Sequence, residues 1–77
     1  MKFKQFMDMY DNWNGITKVN DDNLNTIVIG KTLDIMECME CVEKCHLWPN
    51  VENYKSLLEM EVVSFGFYDN EFCVRVK

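Results

Sequence analysis

Three cysteines and a histidine, Cys38, Cys41, Cys45 and His46, crowd into the stretch ECMECVEKCHLW of a chain with four cysteines and one histidine in all. Residues of these types hold zinc, and a Cys-x-x-Cys pair can run thiol redox chemistry. Both chemistries depend on backbone geometry. If residues 32 to 46 form one helix, Cys38 and Cys45 are separated by about 10 Å of rise. A zinc ion needs every sulfur at about 2.3 Å, so one straight helix cannot supply all three thiolates. The surrounding Glu37, Glu40 and Glu43 disfavour thiolate, whereas reactive cysteines draw on cations or a helix N-terminus. The expected reading makes Cys38 and Cys45 small core residues and Cys41 a boundary one, with His46 at the helix end. The alternative is a thiol- or zinc-dependent regulatory module using Cys38, Cys41, Cys45 and His46.

No other catalytic constellation stands out. The chain has no glycine-rich phosphate loop, and any Ser-His-Asp set would have to share the single His46. Paired acids such as Asp21-Asp22, or Glu59 and Glu61, read as solvated turn and edge charges, because acid/base work needs burial to shift the pKa. The expectation is a non-catalytic protein without cofactor. What remains is surface. Glu37, Glu40 and Glu43 line one side of the expected helix, and Asp21, Asp22, Asp69 and Glu71 sit at turns. Such a surface complements a basic partner. Trp48, before Pro49, is a candidate interface anchor.

These residues must be positioned by a small set of elements. Phe3, Phe6, Met7, Tyr10 and Trp13 recur at helical spacing, which predicts an amphipathic helix ending at Asn14-Gly15 with Gly15 in a left-handed position. ITKVN and NTIVI flank DDNL, a hairpin pattern closed by Gly30. Thr32 is placed to cap a second helix through about residue 46, with Ile35, Cys38, Met39, Val42, Cys45 and His46 on one face. Pro49 breaks it, Asn50 caps a third helix carrying Val51, Tyr54, Leu57 and Leu58, and that helix ends near Met60.

The last segment, EVVSFGFYDNEFCVRVK, reads as a hairpin around Asp69-Asn70, a pair that accepts positive φ. Pairing across it sets Phe67 against Phe72, Phe65 against Val74, and Val63 against Val76. These apolar groups should share one face under the helices, with Cys73 opposite Gly66 on the other. The fold class is α+β in the order α-β-β-α-α-β-β, a single domain over residues 1–77 with helices on one side of a small, mainly antiparallel sheet.

With 77 residues, the chain has room for one core of modest stability. Apolar residues at 48% and aromatics at 13% are too abundant for a disordered chain. Thirteen acidic against eight basic side chains, net −5, disfavour direct contact with nucleic acid or anionic membranes. MKFKQFMDMYDNW has neither a signal-peptide nor a membrane-span pattern, so a cytoplasmic protein with reduced thiols is expected.

The string YDNWNGITKVNDDNLNTIVIGKT, with the ending VVSFGFYDNEFCVRVK, resembles short uncharacterised proteins encoded by phages and mobile elements of low-GC bacteria. The likeness spans most of the chain except ECMECVEKCHLWP. It lies in layout and phrasing and carries over no site residues. The resemblance implies an anti-CRISPR-like or other anti-defence inhibitor that occupies a nuclease or its nucleic-acid channel, hence a basic, nucleic-acid-handling bacterial protein as partner.

Overall fold

The computed structural model describes residues 1–11, 13–40 and 51–77, and within these not the side chains of residues 40 and 51–54. The element order is α1 (Phe3–Asp8), β1 (Ile16–Asn20), β2 (Thr26–Lys31), α2 (Thr32–Glu40), α3 (Val51–Leu58), β3 (Val62–Tyr68) and β4 (Glu71–Val76). This is the expected α+β order. The strands form one sheet in the order β2-β1-β4-β3. Each hairpin is antiparallel, and β1 and β4 join them in parallel, with Ile16 beside Glu71 and Asn20 beside Arg75. The sheet is therefore mixed.

The core is Phe3, Met7, Val19, Val28, Ile35, Met36, Cys38, Met39, Leu57, Leu58, Phe72, Val74 and Val76. Strand alternation supplies Val19, Phe72, Val74 and Val76, and helical spacing supplies the remainder apart from Val28. Burying this many large side chains contributes about 1.5–3 kcal/mol for each of the larger ones, the main force holding the helices to the sheet.

Several local expectations change. Helix α1 stops at Asp8 with Met9 as its C-cap, well before Asn14-Gly15, and no glycine among the described residues has positive φ. The chain leaves the helix early because the Trp13 indole N–H donates to the Tyr10 carbonyl at 2.8 Å and Leu33 N–H to the Trp13 carbonyl at 3.2 Å. Trp13 thus ties α1's exit to the start of α2 and stays 37% exposed. At the other end of α1, the Phe3 N–H donates to the Met60 carbonyl at 2.8 Å, and Gln5 Oε1 accepts from the Lys2 N–H. Two of its orphan donors are thereby satisfied.

Gly30 lies inside β2 and does not close the hairpin; the strand runs directly into α2. Thr32 is not a helix cap. Its hydroxyl donates to the Gly15 carbonyl at 3.1 Å and lies 2.6 Å from the Thr17 hydroxyl. Because the Thr32 proton is committed to Gly15, Thr17 donates to Thr32. Both threonines are fully buried, so this two-bond chain satisfies polar groups under the helix layer that would otherwise cost about 1–3 kcal/mol. The DDNL turn forms as expected, with Asp21 Oδ1 accepting from the Asn23 and Asn25 N–H groups at 2.9 Å and Leu24 at φ 66°.

The C-terminal hairpin turns on Asp69 and Asn70, at φ 52° and 66°, as that pair of residues favours. Phe67 pairs with Phe72, Phe65 with Val74 and Gly66 with Cys73, as expected. The register then shifts between Val62 and Ser64, so Val62 and not Val63 lies opposite Val76. A bulge of this kind adds one residue to one strand. The expected single covered face is corrected here. Phe72, Val74 and Val76 are buried, whereas Phe65 is 61% and Phe67 62% exposed. The cause is strand order, which makes β4 interior and leaves β3 at the edge.

Candidate interaction surface

Helix α2 packs on β1 and β2, and α1 packs against α3. Rings of α1 and of the segment just after it reach as far as β4. Tyr10 stacks on Phe72 with centroids 4.1 Å apart and planes at 12°, and Phe6 lies 6.0 Å from Phe72 and 4.9 Å from Phe65. No described helix covers the rest of β3. Phe6, Met9, Tyr10, Phe65, Phe67 and Phe72 line an apolar depression of about 270 Å³. Phe67 approaches Phe72 at 5.2 Å and Phe65 approaches it at 6.2 Å. Aromatic pairs at such separations add about 0.5–1.5 kcal/mol each beyond burial. The rings are held by one another, while their outer surfaces face solvent. Contiguous exposed apolar surface marks interaction sites far more often than a lone exposed leucine does.

The free edge of β3 borders this patch. Its beginning is guarded. Val62 N–H donates to the Met1 carbonyl at 2.8 Å, and Lys2 bridges Glu61. The N-terminal ammonium contacts the Glu61 carboxylate at 2.8 Å, and Lys2 Nζ donates to Glu59 at 2.6 Å. The first hydrogen bond and charge lower the Glu61 pKa, and the second raises that of Lys2. Beyond Val62 the strand VSFGFY carries no charge and no proline, the usual protections of an exposed edge.

The opposite face of the sheet has a second depression, of about 300 Å³, whose lining includes Asn20, Leu24, Ser64, Tyr68, Cys73 and Arg75. The Tyr68 ring lies over Gly66, where an added Cβ would meet it at 3.0 Å. Arg75 Nε is buried there without a hydrogen-bond partner.

The acidic candidates are not gathered into one site. Asp21 and Asp22 lie at the turn after β1, and Asp69 and Glu71 lie at the turn into β4. Because β1 and β4 run parallel from Ile16 beside Glu71, the two turns fall at opposite ends of the sheet, roughly 20 Å apart at about 3.3 Å per residue. Asp21 also uses its carboxylate to hold its own turn. Glu37 is exposed on α2, on the side away from buried Cys38. Glu43 and Trp48, and the side chain of Glu40, lie outside the described residues. So do Cys41, Cys45 and His46.

Cys38 is 3% exposed and belongs to the core, and Cys73 lies on the other face of the sheet, its thiol 3.8 Å from the Glu71 carbonyl. Among the described residues no group of three or more His, Cys, Asp or Glu side chains could hold a metal ion, and no helix is long and apolar enough to cross a membrane.

Reading from sequence found the hairpin rings but assigned them to the core, and it passed over Met9. A signal was present in VVSFGFY, an uncharged strand, yet an uncharged strand is equally what a central position would show. Comparison with protein-family models, curated proteins and solved structures finds no match for this chain.

Proposed function

We propose that this protein is a non-catalytic protein-binding module whose contact surface is the α1–β3 aromatic face, with Asp69 of the adjoining hairpin turn at its rim. The observation that supports this most directly is the exposure of Phe65 and Phe67 beside Met9, which is 64% exposed. Interfaces concentrate their energy in a few aromatic anchors, and surrounding charges govern approach and partner choice. A chain of net −5 favours a basic partner. Together with the resemblance to short phage and mobile-element proteins, this supports an inhibitor that binds a basic, nucleic-acid-handling bacterial protein, in the manner of anti-CRISPR proteins.

The test is affinity capture from bacterial lysate with wild type, Phe67→Lys and the control Ile29→Lys, which alters an exposed residue of the opposite edge strand. Loss of a specific captured protein with Phe67→Lys alone supports the aromatic face. Retention by all three sinks it. A complex that weakens between about 0.1 and 1 M salt, where the screening length falls from about 10 Å to about 3 Å, supports the acidic rim. Indifference to salt removes it.

A further inference from the structure

We infer that the β3 edge pairs with the β3 edge of a second copy, antiparallel about a two-fold axis through Gly66. The inference rests on reading the α1–β3 face as a binding surface and names its first occupant.

Three features of the edge select a second copy. The first is register. Met1 and Lys2 cover the edge at Glu61 and Val62, and the bulge occupies Val63, so the regular free segment is Ser64–Tyr68. A two-fold axis at its midpoint sets Phe65 opposite the partner's Phe67 twice, Ser64 opposite the partner's Tyr68 twice, and glycine against glycine on the axis. Residues directly opposite in an antiparallel pair project to the same face. Phe65 and Phe67 share the helix-side face with Phe72 and Val74, their partners across β4. The two aromatic clusters therefore merge on one side of a continuous eight-stranded sheet.

The second feature is space. Phe6 of α1 lies between Phe65 of β3 and Phe72 of β4, at 4.9 and 6.0 Å, so the two α1 helices would be separated by about two strand spacings, roughly 10 Å. Packed helices approach to about 8–10 Å. The helices therefore fit side by side without overlap, above Phe65 and Phe67 from both copies.

The third feature is area. Phe65 and Phe67 each retain about three-fifths of their exposure, roughly 100–150 Å² apiece given the size of aromatic side chains. Met9 and the strand edge bring the buried surface to roughly 400–600 Å² per copy. That lies at the low end of specific interfaces, where about 800 Å² per partner is standard. The consequence is a reversible dimer that forms with rising concentration and can yield the same face to another protein. The uncharged strand carries none of the net −5, so like charges do not meet along the seam.

Sedimentation equilibrium tests this. Wild type should move from the mass of one chain, 9.2 kDa, towards twice that value as concentration rises from micromolar towards millimolar. Phe65→Lys and Phe67→Lys should remain monomeric with unchanged far-ultraviolet circular dichroism, and Ile29→Lys should dimerise like wild type. Wild type that stays at one chain's mass throughout overturns the inference, as does a Phe65→Lys variant that dimerises normally. In case the lysine variants fail to fold, isotope-filtered nuclear Overhauser spectra of mixed labelled and unlabelled wild type give an independent readout. Contacts between Phe65 of one copy and Phe67 of the other are expected, and intermolecular contacts confined to another face would overturn the pairing. A monomeric wild type whose captured partner is lost with Phe67→Lys removes the second copy but leaves the binding face. A dimer whose Phe67→Lys variant captures the same proteins as wild type leaves the second copy and removes the foreign partner.

Discussion

Strands β3 and β4 are two halves of one hairpin, matched in apolar alternation and facing the same way, yet Phe72, Val74 and Val76 are buried while Phe65 and Phe67 lie in solvent. Their apolar alternation does not separate them, and the buried strand is the one that carries charge, at Glu71 and Arg75. The difference comes from the parallel pairing of β4 with β1, which puts β4 inside the sheet and β3 at its margin. Apolar alternation reports which face of a strand is suited to burial. Strand order decides whether anything covers it.

The largest test of this contrast is a pair of truncations. Phe72→Ala should cost about 3–5 kcal/mol. Phe67→Ala should cost about 0.5–1 kcal/mol, the worth of the minor share of its surface that is buried. Urea melts at low protein concentration measure both, and equal losses would mean that β3 is covered after all.

Beneath the covered strands, the Thr17–Thr32 hydroxyl chain should respond asymmetrically. Thr32→Val strands the buried Thr17 donor and leaves the Gly15 carbonyl without its side-chain hydrogen bond, so about 1–3 kcal/mol is expected. Thr17→Val leaves the Thr32–Gly15 bond intact and should cost less. Melts of both variants and of the double mutant, with losses well below the sum of the singles, would sharpen the assignment. Equal single effects would contradict the donor order.

On the open face of β4, Arg75→Leu removes a buried Nε that has no partner. Removing an unsatisfied group should leave stability unchanged or raise it by up to about 1 kcal/mol. A clear loss by thermal melt would mean that the guanidinium makes a contact the geometry does not contain.

The smallest effect concerns the guarded start of β3. Glu61 has its pKa lowered by the hydrogen bond from the N-terminal ammonium and by that group's charge. A depressed folded-state pKa contributes stability that is present above the unfolded value, about 4.3 for glutamate, and lost as pH falls through the folded value. Acid titration of wild type against Glu61→Gln should show a slightly shallower loss below that pH in the variant. Superimposable curves would leave the N-terminal clasp without energetic weight, as exposed ion pairs often are.

The period of two in EFCVRV and VVSFGFY, the positive-φ turn at Asp69-Asn70, the Asp21 turn and the buried side of α2 at Cys38 are all readable from the chain, because each depends on neighbours within a few residues. The acidic candidates were legible as residues but not as a site, since a parallel β1–β4 pairing separates their turns and only long-range contacts set that pairing. The early end of α1 depends on Trp13 reaching back to Tyr10 and on Leu33 meeting it from α2. The aromatic face exists only because β3 is the last strand of the sheet. Local spacing determined which side chains could be buried in this protein. The tertiary structure decided which ones were, because burial depends on what packs from elsewhere, and a strand's own sequence does not encode its neighbours.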